Sequence, residues 1–273
     1  MSHWKATLAY DGTPYNGWQI QPNLPTVQGT LAEAIQRITG ESVLPQGSGR
    51  TDTGVHALAQ VATFSLTVPI PPANLHRALN HALPPSIRVL SIEHAPEAFH
   101  ARHHALRKTY EYRIFPRVPY PVTLPAIERI CPPTLAPYVW DCPFPLDFAI
   151  LQNAADHVRG THDFTSFAAV DPDLATREKV APPSIPLSPV PGPCLIRTIH
   201  HSTWHRRDGL LIYTVTGTGF LHHMVRNLVG TFVEAACRRI SADDIPAILA
   251  ARNRSAAGPT APARGLFLVE VEY

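Results

Sequence analysis

The placement of proline sets the strongest limit on how this chain folds. Of its 29 prolines, nine fall in residues 116–145. Pro182, Pro183, Pro186, Pro189, Pro191 and Pro193 crowd a second stretch. Proline fixes φ and removes a backbone donor, so neither stretch supplies a central strand. The first reads as a linker or irregular excursion between two halves, the second as an exposed, partly extended loop. The expected division is residues 1–105 and 106–273, the latter carrying a proline-rich insertion near 181–193.

Each half mixes strand and helix patterns. Ala6, Leu8 and Tyr10 alternate, predicting a strand that ends at Asp11-Gly12. Val27, Leu31, Ala34, Ile35 and Ile38 share one helical face, with Thr26 as N-cap and Gly40 as the stop. Ala62, Phe64, Leu66 and Val68 alternate as a strand, and a second helix runs from Pro72 until Pro84-Pro85 ends it. Strands are predicted over 87–94 and 109–115, the latter with Tyr110, Tyr112 and Ile114 on one face. In the second half a helix from Phe148 ends at Gly160, and strands 195–205 and 210–216 flank the turn Arg206-Arg207-Asp208-Gly209. Val225, Leu228, Val229, Phe232 and Val233 give a strong helix, Ser241 caps a short one, and Phe267 to Tyr273 forms a last strand. The class is α+β, mostly antiparallel, with helices on one side.

Composition excludes several function classes. Apolar residues are 45% and charged residues 16%, so the chain is not disordered. No apolar run reaches about 18 residues and the N-terminus lacks an apolar leader, so neither a membrane span nor a signal peptide is expected. Cys131, Cys142, Cys194 and Cys237 show no C-x-x-C spacing and read as reduced thiols of a cytoplasmic protein. Net charge is only +2, yet of 23 basic residues just three are lysine (Lys5, Lys108 and Lys179). Arginine's planar fork suits phosphates and base edges, although a GC-rich genome gives the same bias.

The most unusual segment is Gly47-Ser48-Gly49-Arg50-Thr51-Asp52-Thr53-Gly54-Val55-His56-Ala57. Its glycines allow close backbone approach by a ligand, but the Lys-Ser/Thr of a phosphate loop is missing. Spacing alone also fits an Asx-turn in which Asp52 bonds its own backbone.

Gly-Arg-Thr-Asp-Thr-Gly-Val-His-Ala resembles the active-site motif of the tRNA pseudouridine synthase A (TruA) family. The likeness extends to Tyr10-Asp11-Gly12-Thr13-Pro14-Tyr15-Asn16-Gly17-Trp18-Gln19-Ile20-Gln21 and to Phe99-His100-Ala101-Arg102. It continues through Lys108-Thr109-Tyr110-Glu111-Tyr112, Asp163-Phe164-Thr165-Ser166-Phe167, Phe220-Leu221-His222-His223-Met224-Val225-Arg226-Asn227 and Ala261-Pro262-Ala263-Arg264-Gly265-Leu266. These motifs follow the family's order over nearly the whole chain.

The resemblance implies the pseudouridine synthase fold, two α/β halves sharing a central sheet with the active-site cleft between them. It implies isomerisation of uridine to pseudouridine at positions 38, 39 and 40 of the tRNA anticodon stem-loop, by a homodimer without a cofactor. By matching position Asp52 is the nucleophile, Tyr110 stacks on the uracil and Arg226 faces Asp52. The chemistry is consistent: uracil leaves C1′, turns and rejoins through C5, with no redox change. A carboxylate can act as covalent nucleophile, by attack at ribose or through proton abstraction to a glycal. An arginine within reach would keep such a carboxylate ionised, Arg226 being preferred and Arg50 an alternative that could instead bind phosphate. A stem uridine must be flipped out to react. Periodicity alone also allows Tyr110 to be a core aromatic, with Tyr112 the stronger core candidate of the two.

Arg102, Arg107, Lys108 and Arg113, interleaved with His100, His103 and His104, suit RNA phosphates and bases, or else a solvated charged face. Arg102 or His100 is a candidate for displacing the base. The pairs His103-His104, His200-His201 and His222-His223 lack metal-ligand spacing, so no metal is expected and the last pair reads as structural, beside Arg226. Ile20 stands where the family often has a basic residue, which would remove one tRNA contact. Residues 116–199 hold six basic and eight acidic groups, so the near-neutral total masks positive flanks. Competing readings are a synthase acting on another RNA, a catalytically silent RNA-binding protein on the same scaffold and, more remotely, a metal-dependent hydrolase.

Overall fold

The computed structural model describes residues 1–120, 128–169 and 195–273. The insertion expected near 181–193 lies outside the described residues. Alternation in β1 (Ser2–Tyr10) buries Trp4, Ala6, Leu8 and Tyr10 while the intervening residues stay partly open, so one sheet face is covered. Helix α1 (Val27–Thr39) starts where Thr26 Oγ1 accepts from Gly29 N at 3.2 Å. It ends at Gly40, whose left-handed backbone (φ 77°) lets its N–H reach Gln36 O at 2.8 Å.

A two-residue β2 (Gln46–Gly47) leads to β3 (His56–Leu66), then α2 (Pro72–Ala82) and β4 (Ile87–His94). Strand β3 begins six residues before the alternation does, because Gln60 to Phe64 are buried without a break and hide its period. After β5 (Arg107–Pro116) comes a three-residue β6 (Trp140–Cys142), which lies along β5 at the far end of the proline-rich excursion. Helix α3 (Phe148–Asp156) stops short of Gly160, which opens a short β7 (Gly160–Asp163). Strands β8 (Ile196–Arg207) and β9 (Leu210–Gly217) turn through Asp208 (φ 52°) and Gly209 (φ 76°), two left-handed residues as a tight hairpin requires. Helices α4 (Met224–Ala236) and α5 (Ile245–Ala251) precede β10 (Leu266–Glu272).

The described strands form one sheet of ten, ordered β4-β1-β3-β10-β5-β9-β8-β7, with β2 on β3 and β6 on β5. Only β3–β10 and β5–β6 run parallel among them. The fold is α+β, as expected. The chain's last strand therefore joins the two groups of strands: Leu268 pairs with Ala57 on β3 and with Tyr110 on β5. This places Tyr110 two strands, about 10 Å, from the start of β3, into which the Asp52 loop runs. Helices α1 and α2 pack together with α2 on β4, and α3 packs on β8 and α4.

Candidate active site

The loop before β3 is fixed by buried polar contacts. Ser48 Oγ donates to Gln60 Oε1 (2.6 Å), Gln60 Nε2 to Gly49 O (2.9 Å) and Lys108 Nζ to Ser48 O (2.6 Å). Thr51 Oγ1 lies 2.8 Å from Tyr10 Oη, whose phenol burial pushes up to about 12. The Tyr10–Gln21 segment crosses this loop closely: Trp18 N donates to Thr51 O at 3.0 Å. Gly17 has φ +83°, and a Cβ there would stand 2.5 Å from Thr51 O, so no side chain fits. At the loop's end Gly12 N donates to His56 Nδ1 (3.0 Å) while His56 Nε2 faces Pro137 O (3.2 Å), which fits a neutral imidazole held by burial.

From that loop the Asp52 side chain turns to the start of α4. Arg226 Nη1 donates to Asp52 Oδ2 at 2.9 Å while its Nε donates to Ala261 O at 2.8 Å. One guanidinium thus ties the carboxylate to the 259–261 segment. Gly230 allows that segment to press on α4; a Cβ there would meet Pro259 O at 1.7 Å. Val55 N donates to Asp52 O (3.1 Å), so the loop does turn at Asp52, with its carboxylate committed to the facing helix.

His222 and His223, read from the sequence as structural, also reach the carboxylate. Their Nε2 atoms stand 3.6 Å from Asp52 Oδ1 and 3.3 Å from Oδ2. They lie four and three residues before Arg226, on the turn that leads into α4. One atom from each of the three residues falls within 4.8 Å of the others. The imidazole rings lie 3.9 Å apart, tilted by 31°, and both Nε2 atoms face the Asp52 carboxylate. With the Arg226 charge on Oδ2, the set reads as a polar cluster around a carboxylate rather than a ligand set.

These groups line a cleft of about 830 Å³. Arg50, Arg102, Lys108, Arg197, Arg226 and Arg254 contribute six positive charges, and Asp52 is the one carboxylate among the described lining residues. Of these, Arg197 and Arg254 were not singled out in the sequence. Lys108, two residues before Tyr110 on β5, shares its strand face; burial, then Arg102, lowers its ammonium to about 8. Tyr110 lines the cleft floor at 7% exposure, edge-on to Phe220 at 5.0 Å. Burial, then Tyr10 and Asp52, pushes its phenol far up, so it stays protonated. Tyr112 is fully buried and donates to Pro262 O (2.7 Å), a core residue as expected. Arg50 and Arg102 are exposed at the cleft, whereas His100 lines a separate depression with His3 and Phe99. Gln19 and Gln21 line the cleft, while Ile20 between them is half exposed, its N–H on Gln28 Oε1 (2.9 Å). No described helix is long and apolar enough to cross a membrane.

Comparison with known proteins gives this geometry a context. The sequence pattern of the family described as tRNA pseudouridine synthase matches residues 6–104 and 188–273. The chain is 46% identical over 267 residues to a tRNA pseudouridine synthase A of Solibacter usitatus, covering 97% of each. To the protein of that name from Moorella thermoacetica it is 43% identical over 273 residues, covering 98% of each. A Methylobacterium radiotolerans counterpart is 37% identical over 279 residues, spanning all of this chain and 98% of its own.

Proposed function

The chain belongs to the tRNA pseudouridine synthase family, an isomerase family, and from that premise we propose that it converts uridine to pseudouridine in tRNA, at positions 38, 39 and 40 of the anticodon stem-loop. The observation that carries this reading is the Asp52–Arg226 pair at 2.9 Å, in a cleft where one carboxylate meets six cations.

The cations hold the phosphates on either side of the target, and the nucleotide swings out of the stem into the cleft. Its uracil stacks on Tyr110, worth roughly 1–3 kcal/mol. Asp52 then acts on the ribose, attacking C1′ as uracil departs. Arg226 aims the carboxylate through its bond to Oδ2, and its second donor on Ala261 O fixes the angle of approach. The freed uracil turns on Tyr110 and rejoins through C5. In this reading residues 1–105 bring the nucleophile and residues 106–273 bring Tyr110 and Arg226. The working enzyme is a cytoplasmic homodimer that uses no cofactor.

The test is incubation of the protein with unmodified tRNA transcripts, with and without chelator, followed by mapping of pseudouridine. Product at positions 38 to 40, unaffected by chelator, is expected. Asp52→Asn should abolish it while tRNA binding persists. Product only on ribosomal RNA, or binding without product, would overturn the substrate or the activity.

A further inference from the structure

Isomerisation leaves a proton to be moved. In the product, C5 carries C1′ in place of its hydrogen, and N1 carries a hydrogen it lacked. We propose that His223 is the base that removes the C5 proton, an inference that rests on the tRNA-isomerase reading above.

The constraint is geometric. A carboxylate oxygen poised to attack stands about 3–3.5 Å from C1′. When C5 bonds to that same carbon, its hydrogen lies one bond further out, in the shell around the Asp52 carboxylate. Among the described groups, His222, His223 and Arg226 pair with that carboxylate and Tyr110 feels its charge. Arg226 has no lone pair to offer. Tyr110 keeps its proton, so it is no base. Asp52 leaves C1′ with Arg226 on Oδ2, which makes it a poor acceptor. The imidazoles remain.

Of the two, His223 is the one the fold constrains. It sits at the N-terminal end of α4 with φ 58° and ψ 5°, a left-handed backbone that a β-carbon disfavours. Its carbonyl accepts from Asn227 N at 2.9 Å, so the turn is locked into the helix. That backbone brings Nε2 to 3.3 Å from Asp52 Oδ2. The His222 ring packs beside it at 3.9 Å, tilted by 31°. The charged groups facing it are Asp52 from the loop, His222 beside it, Arg226 one turn along and Arg254 from the segment beyond α5. Burial lowers the His223 pKa; Asp52 opposes this, while His222, Arg226 and Arg254 add to it. The ring is therefore neutral near pH 7, the form a base needs.

The step balances. Joining C5 to C1′ leaves a C6=N1 double bond and an sp³ C5 bearing hydrogen. His223 Nε2 takes that proton, the C–H electron pair forms C5=C6, and the C6=N1 pair moves to N1, which takes a proton from water while the His223 imidazolium returns its own to water. No oxidant or further reactant enters.

The experiment uses tRNA carrying 5-deuterouridine at the target, with the wild-type enzyme, His223→Asn and His223→Gly. Both replacements tolerate the left-handed backbone. Turnover should fall about 100-fold or more, with tRNA binding retained and a deuterium isotope effect larger than the wild type's. Imidazole in the buffer should restore His223→Gly. The wild-type rate should fall as pH drops through an ionisation below the ordinary imidazole range, and that limb should vanish in both variants. Wild-type-like turnover, or slow turnover with neither isotope effect nor rescue, overturns the assignment. Failure of the parent reading is separate: the wild type would then make no pseudouridine at all.

Discussion

The two walls of the cleft are held by different forces. The Asp52 wall has no regular structure between β2 and β3, and hydrogen bonds fix it: Ser48 and Gln60 are fully buried, and Lys108 and Tyr10 close the set. The Arg226 wall is a helix whose Val225, Leu228, Val229, Phe232 and Val233 are buried in the core. Hydrogen bonds are directional, so the first wall sets an angle of attack. Apolar packing is not directional, so the second supplies a rigid base that one carbonyl then aims. Damage to the first should appear in chemistry as well as stability, and damage to the second in stability alone.

The largest effect on activity should come where the walls touch. Arg226→Ala should lower single-turnover rates by about 10²–10³, the scale for removing one positioned donor to a reacting group. Arg226→Lys should not restore them, because an ammonium cannot span Ala261 O and Asp52 Oδ2 in the way the fork does. On the helical wall, Gly230→Ala should destabilise the fold by about 1–3 kcal/mol in denaturant titrations, since its Cβ would enter the space of Pro259 O. On the hydrogen-bonded wall, Gln60→Leu strands Ser48 Oγ and Gly49 O. It should cost about 1–3 kcal/mol and lower kcat with little change in tRNA affinity. Equal losses of stability and kcat in both variants would erase the contrast.

Legibility in the sequence follows the same division. Elements packed by periodic apolar residues were readable: β1 from its alternation, α1 from its stripe and its Thr26 and Gly40 ends, and the β8–β9 hairpin from Asp208-Gly209. Elements with no period were not. Strands β6 and β7 have three and four residues, too few for alternation to register. The period of β3 is hidden because Gln60 to Phe64 are all buried. In the site, Asp52, Tyr110 and Arg226 came from motifs, not from any physical pattern. His222 and His223 carry no such signal, because a left-handed turn before α4, and not a helix face, brings them to Asp52. The Ser48–Gln60–Lys108 network joins residues far apart in the chain, and no local signal announces it.

Lys108 belongs to both the loop network and the cleft's positive field, and pH separates the two roles. An unfolded lysine titrates near 10.4, whereas this one is lowered to about 8. Between those values the unfolded chain holds a proton that the folded chain lacks, so this group's contribution to stability rises with pH across that window. The cleft itself loses that charge as pH rises through about 8. Raising pH from 7 to 9 should weaken tRNA binding in the wild type more than in Lys108→Met. The variant should also bind with a salt slope shallower by about one. Parallel pH curves for the two proteins would remove Lys108 from the field.

The smallest effect should fall on His100, which separates the cleft from the basic turn beside it. His100 and Arg102 are two residues apart on the 100–104 turn, yet only Arg102 lines the cleft. The polar contacts of His100 are local: its Nδ1 accepts from Arg102 N at 3.0 Å, and its own N–H donates to His104 Nδ1 at 2.9 Å. Its ring lies 4.3 Å from that of His103, and burial, then His103, lowers its pKa. These contacts shape the turn that presents Arg102, and they leave the imidazole away from Asp52. His100→Ala should therefore change turnover by no more than about twofold, the scale of a surface substitution. Arg102→Ala should weaken tRNA binding measurably at the same salt, since it removes a cation from the cleft itself. A loss of turnover in His100→Ala as deep as that of Arg226→Ala would bring the whole 100–104 turn into the reacting site and redraw the cleft's boundary.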